Sequence, residues 1–183
     1  MMYELPKSVE IAGVKYDIRS DYRPVLDICA AFSDAELSSQ EKIAVALIIF
    51  YPKVEQIPPR DMVEALQQCF WFIRCGKPDL KADAPKRIDW EQDSDLIFSD
   101  INRVSGCEVR ELSYCHWWTF MSWFNAIGEG QLSTVVSIRD KRRKGKKLAD
   151  WEQEYYRENR ERIDFKTEYT PEEEALLQKM LGK

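Results

Sequence analysis

Three stretches between Ser20 and Gly76 repeat apolar residues at helical spacing, and each carries its own start and stop signals. Ser20 or Asp21 can cap the first, which runs to about Phe32 with Pro24 in its first turn and Val25, Ile28, Cys29 and Phe32 on one face. Ser38 and Glu41 stand at capping-box spacing ahead of the second, an apolar run that stops at Tyr51 before Pro52. Pro58-Pro59 opens the third, with Met62, Leu66, Cys69, Phe70 and Ile73 on one face and Gly76 as its end. Seven Gly and eight Pro in 183 residues are too few for a loop-rich β-sandwich, so these helices set the class. Ahead of them Val9, Ile11, Val14, Tyr16 and Ile18 alternate around Ala12-Gly13, which predicts a small β-hairpin. Two strands alone are marginal, so the hairpin must lean on the helices or on another subunit.

Residues 77–88 hold two prolines and mixed charges and read as a linker and hinge. They separate an N-terminal unit, 1–76, from a C-terminal helical region, 89–183. In the latter, helices are expected from about Trp90 to Val104, with Ile97, Ile101 and Val104 inward, and from about Arg110 to Ile127, rich in aromatics. Gly128 and Gly130 end that helix, another starts near Ser133, and the charged stretch Leu148 to Ile163 follows as a half-exposed helix with Leu148, Trp151 and Tyr155 on one face. Thr170-Pro171 with Glu173 opens a short terminal helix. The fold class is mainly α: a multi-helix domain with a small N-terminal β-hairpin.

Five cysteines, odd in number and without a Cys-x-x-Cys pair, suit a reducing compartment. The longest continuous apolar run, Ile43 to Tyr51, falls far short of the roughly 20 residues of a membrane-spanning helix. Residues 1–10 lack the apolar run of a secretory signal. These features predict a soluble protein of the cytoplasm, without a membrane partner.

Chemistry finds little purchase. His116 is the single histidine, and in helical geometry its neighbour Cys115 points about 100° away, poorly placed for a base and nucleophile. A structural histidine packed among aromatics is the expectation, ahead of a hydrolase built on His116 or a cysteine. No Cys or His pair stands at zinc spacing, and Gly145-Lys146-Lys147 lacks the first glycine and the hydroxyl of a phosphate loop. Acidic clusters fall at helix starts, where the dipole favours them. No enzyme, cofactor or metal centre is expected.

Two features point instead to partners. Residues 139–147 carry seven Lys or Arg against one Asp, in a molecule whose net charge is −5. That run suits an acidic surface on a partner or on a second copy, such as the acid-rich segment after Leu148. The alternative is a structural or packaging protein that binds nucleic acid through 139–147. The negative global field and the lack of interleaved aromatics count against nucleic acid as partner. The second feature is the aromatic cluster Trp117, Trp118, Phe120, Trp123 and Phe124, which covers more than one helical face and therefore packs in the core or anchors a partner. The candidate partner-binding residues are Trp117, Trp118, Trp123, Arg139, Arg142, Arg143, Lys146 and Lys147.

Five strings taken together resemble the tail assembly chaperones of long, non-contractile-tailed bacteriophages and prophages of Gram-positive bacteria. They are Asp17-x-Arg19-x-Asp21-x-Arg23, Ala44-x-Ala46-Leu47-x-x-Phe50-Tyr51, Gly106-Cys107-Glu108-Val109, His116-Trp117-Trp118-x-Phe120, and Ser137-Ile138-Arg139 running to Gly145-Lys146-Lys147-Leu148. The resemblance implies a mainly helical protein of the host cytoplasm that self-associates into homo-oligomers. It also implies binding to the tape measure protein, a long helical chain kept soluble until the tail tube encloses it, with the major tail protein as a further contact.

Overall fold

The computed structural model describes residues 4–78 and 85–166. Strands β1 (Ser8–Ile11) and β2 (Val14–Asp17) pair antiparallel, with Val9 opposite Tyr16. Ala12 and Gly13 both have positive φ, the backbone that a two-residue hairpin turn requires. The Ala12 amide donates to the Glu64 carboxylate at 3.2 Å, tying the turn to a helix, so the hairpin leans on its own chain.

Eight α-helices follow among the described residues: α1 (Tyr22–Ser33), α2 (Ser39–Phe50), α3 (Met62–Ile73), α4 (Ser94–Ser105), α5 (Trp117–Asn125), α6 (Gln131–Arg143), α7 (Asp150–Glu158) and α8 (Arg160–Ile163). The fold is mainly α, as the periodicity predicts. The expected start signals act as written for two helices. Asp21 caps α1 by accepting the Arg23 amide at 3.0 Å, and Ser38 with Glu41 forms a complete capping box on α2. The terminal helix expected from Thr170 lies outside the described residues, as does half of the expected linker, 79–84. No helix of the described residues is long and apolar enough to cross a membrane.

The string Asp17-x-Arg19-x-Asp21-x-Arg23 is a set of staples. The Arg19 guanidinium donates to the Ile48 and Ile49 carbonyls at the end of α2, satisfying groups a helix terminus leaves open. Asp21 also accepts the Cys115 amide at 2.8 Å. Arg23 donates to the carbonyls of Arg110 and Leu112. Residues 94 positions apart are thereby joined before any side-chain packing is counted. Tyr22 then stacks on Phe120 at 4.6 Å with the rings 2° from parallel. One buried cluster runs from Val9 and Ile11 through Phe50 and Phe72 to Phe120, Ile138 and Ile163.

Two expectations are corrected. The aromatic helix does not begin near Arg110: Val109–Glu111 is a short 3-10 turn, and α5 starts at Trp117. The segment before it is held extended by the Tyr22 amide on the Cys115 carbonyl and the Trp117 amide on the Ser20 carbonyl. In α7 the inner position is Glu152, 2% exposed, whereas Trp151 is 58% exposed. The Glu152 carboxylate tolerates burial because Lys141 and the Ala149 amide both donate to it.

Candidate partner interface

His116 organises the first site. Its Nδ1 accepts the Trp118 amide at 3.0 Å, capping α5, so Nε2 carries the proton and donates to the Pro6 carbonyl at 2.9 Å. The ring is buried between Phe72 and Trp118. Burial pushes the imidazole below its ordinary pKa, against the opposite pull of the Pro6 hydrogen bond. Both nitrogens are spent on backbone, one on a helix start and one on the chain before β1.

From this cap the two adjacent tryptophans part. Trp117 turns inward, 1% exposed, and donates to the Ile73 carbonyl. Trp118 lies over the end of α3, donates to the Phe72 carbonyl and meets Trp71 edge-on at 5.5 Å. The chain passes beneath through Gly76, whose φ is +73°. A Cβ there would stand 3.3 Å from Trp118 Cη2 and 3.6 Å from Trp71 Nε1, so only glycine lets the rings settle onto the turn.

The result is an open groove of about 830 Å³, lined by Trp71, Trp118, Leu5 and Pro6 together with the charged Glu4, Lys7 and Lys15. Lys7 rests on the Tyr114 ring, 5.4 Å from its centre. Trp71 remains 38% exposed and Leu5 44%. Trp118 is thus on the groove as a sequence candidate. Trp71 was not among the candidates; its one sequence signal was its place off the Met62-Leu66-Cys69-Ile73 face. Trp123 is half-buried against the core, and Trp117 is corrected from partner anchor to core residue because its indole finds its carbonyl inside the protein.

The basic run is the second site, and the fold consumes most of it. Arg139 is buried, and its guanidinium uses all five N–H groups. Nε donates to the Ile163 carbonyl, Nη1 to Asp93 at 2.6 Å and the Arg87 carbonyl, and Nη2 to Asp93 at 2.9 Å and the Arg162 carbonyl. Arg139 is therefore corrected from surface contact to internal clamp. Lys141 pairs with Glu152, Arg142 with Asp164, and Arg143 and Lys144 with Asp140, whose carboxyl they hold down at about 2. Two acids after Leu148, Glu152 and Asp164, thus meet the run within the same chain. Of the bases in the run, only Lys146 and Lys147 have side chains without a hydrogen bond or ion pair among the described residues, and both are exposed.

Burial raises the thiols of Cys29 and Cys115 to about 11 and that of Cys69 to about 12, far from a reactive thiolate. Among the described residues no group of three His, Cys, Asp or Glu is placed to hold a metal ion.

A family model described as Bacteriophage Gp15 protein matches residues 1–165. No curated protein and no solved structure matches the chain.

Proposed function

The chain belongs to the bacteriophage Gp15 protein family, and from that premise we propose that it is a tail assembly chaperone, which oligomerises and holds the tape measure protein in solution until the tail tube encloses it. A long amphipathic helix exposes an apolar stripe along its length until it is enclosed. Many small proteins bound side by side cover such a stripe with modest contacts each, because binding beside a bound neighbour adds avidity. Release follows by mass action as tube subunits compete for the same surface. No bond is made or broken.

The observation that carries this reading is the groove of Trp71, Trp118 and Leu5. It presents large apolar side chains at an open surface, with the Trp118 indole N–H satisfied by the Phe72 carbonyl and Lys7 and Lys15 in the same lining. An aromatic shelf of that build binds a helix face and leaves its polar side in water.

The test is co-expression with the tape measure protein. The wild-type chain should keep it in the soluble fraction, and the double variant Leu5→Glu, Trp71→Glu should leave it in the pellet while melting at the wild-type temperature. Equal rescue by the variant would displace the groove from the mechanism. A tape measure protein that stays insoluble beside the wild-type chain would overturn the function.

A further inference from the structure

Two adjoining surfaces with linings distinct from that groove stand open. One is an apolar groove of about 370 Å³ between the end of α5 and the start of α6, lined by Ile88, Phe124, Ile127, Leu132 and Val136, with Arg87 at its end. The other is a basin of about 460 Å³ that includes Lys86, Arg87, Arg142, Arg143 and Phe165. Arg87 belongs to both, so the surfaces are continuous. Its guanidinium has no hydrogen-bond or ion-pair partner among the described residues, although its carbonyl accepts from Arg139.

The described chain leaves off beside them. Phe165 lines the basin, and the Lys166 amide is fixed to the Gln92 side chain at 3.0 Å. Seventeen residues follow, 167–183. Their sequence has the chemistry of the two surfaces in matching order: Glu172-Glu173-Glu174, then Ala175-Leu176-Leu177, then Met180-Leu181. At helical spacing Leu176, Leu177, Met180 and Leu181 share a face, and Glu172 and Glu173 lie one turn, about 6 Å, ahead of the leucines on that face. The six residues from 167 to 172 span up to about 20 Å when extended.

We propose that residues 170–181 of the same chain seat on this surface, with the leucines and Met180 in the apolar groove and the glutamates against Arg87 and the basic basin. The segment matches the surface in apolar character, charge sign and order along the chain. It also explains why an apolar groove and an unpaired arginine sit side by side next to the point where residue 166 is anchored. The inference does not depend on the tape measure reading.

Backbone hydrogen exchange of the full-length chain tests it. An isolated helix of this length is marginal in water, so protection of residues 174–181 requires packing. Their amides should exchange at least about tenfold more slowly than coil rates, by an amount independent of protein concentration. Leu177→Asp, which alters only the segment, should return them to coil rates and speed exchange at the start of α6. Arg87→Glu should weaken the protection, and adding Glu173→Arg should restore it. Coil rates in the wild-type chain would overturn the proposal. So would protection that grows with concentration, which would assign the groove to a second copy, or protection indifferent to both Leu177→Asp and Arg87→Glu.

Discussion

The basic run and the aromatic cluster both look like partner surfaces in the sequence, yet the fold treats them oppositely. Five of the seven bases from Arg139 to Lys147 find acids within the chain, and Arg139 vanishes into the interior. The aromatic cluster sends Trp117 inward but leaves Trp118 on a shelf that Trp71 extends to the surface. The difference lies in what each group needs. An arginine in the interior must have its donors met and its charge balanced, so once several carbonyls and one carboxylate converge, it is held there. A tryptophan needs one acceptor for its indole N–H: Ile73 supplies it to Trp117 in the interior, and Phe72 supplies it to Trp118, whose ring stays partly exposed.

The comparison breaks most sharply at Arg139. Removing one member of a buried pair leaves an uncompensated charge, so Arg139→Ala should cost about 3–5 kcal/mol in a denaturant titration. The double variant Asp93→Leu, Arg139→Met should recover most of that loss. A single variant that melts like wild type would mean that the run is a surface feature after all.

Gly130 tests how the basic helix is started. Asp100, on α4, accepts the Leu132 amide at 3.1 Å and so caps α6 from another helix. A Cβ on residue 130 would lie 2.6 Å from the Asp100 carboxylate. Gly130→Ala should cost about 1–3 kcal/mol by overpacking. Gly130→Ala combined with Asp100→Ala should show a smaller added loss than the two changes summed.

On the aromatic side the measurable quantity is pH dependence. His116 holds its proton less tightly folded than unfolded, so the unfolded chain takes up more protons as the pH drops through and below the ordinary histidine value of about 6.5. Its contribution is complete above that value and declines below it. The unfolding midpoint should therefore fall on acidification from pH 7 to 5.5. His116→Asn, which keeps a capping oxygen, should flatten the part of that slope due to this residue, at a cost of about 1 kcal/mol or less. A slope unchanged by the substitution would remove His116 from the account.

The smallest effect on folding is expected from Arg142, Arg143 and Lys144, whose pairs lie at the surface. Changing all three to Glu should barely move the melting temperature. If these bases serve contact between copies, sedimentation should show reduced assembly. Tight DNA binding by the wild-type chain with a steep salt slope, lost in this variant, would instead favour the nucleic-acid alternative.

Much of the scaffold was legible in the residues because it rests on neighbours. The Ser38–Glu41 box, the Asp21 cap and the Ala12-Gly13 turn all act within four positions, and local spacing reports them. The inward faces of α1 and α4 followed from period alone: Val25, Ile28, Ile97 and Ile101 are buried. What failed involves partners far along the chain. Glu152 is inside and Trp151 outside because Lys141 stands over the start of α7. His116 precedes its helix because Ser20 and Tyr22 hold that segment extended.

The sequence by itself determined the class of the fold, the caps and breaks of its main helices, and which side chains are greasy or charged. Tertiary structure alone decided which of them remain available. Trp118 and Arg139 were equally conspicuous candidates, and a shelf or a clamp is defined by groups 46 positions away in the chain, Phe72 for one and Asp93 for the other. Helical period orients a residue within its own element; it carries no information on what the next element brings to meet it.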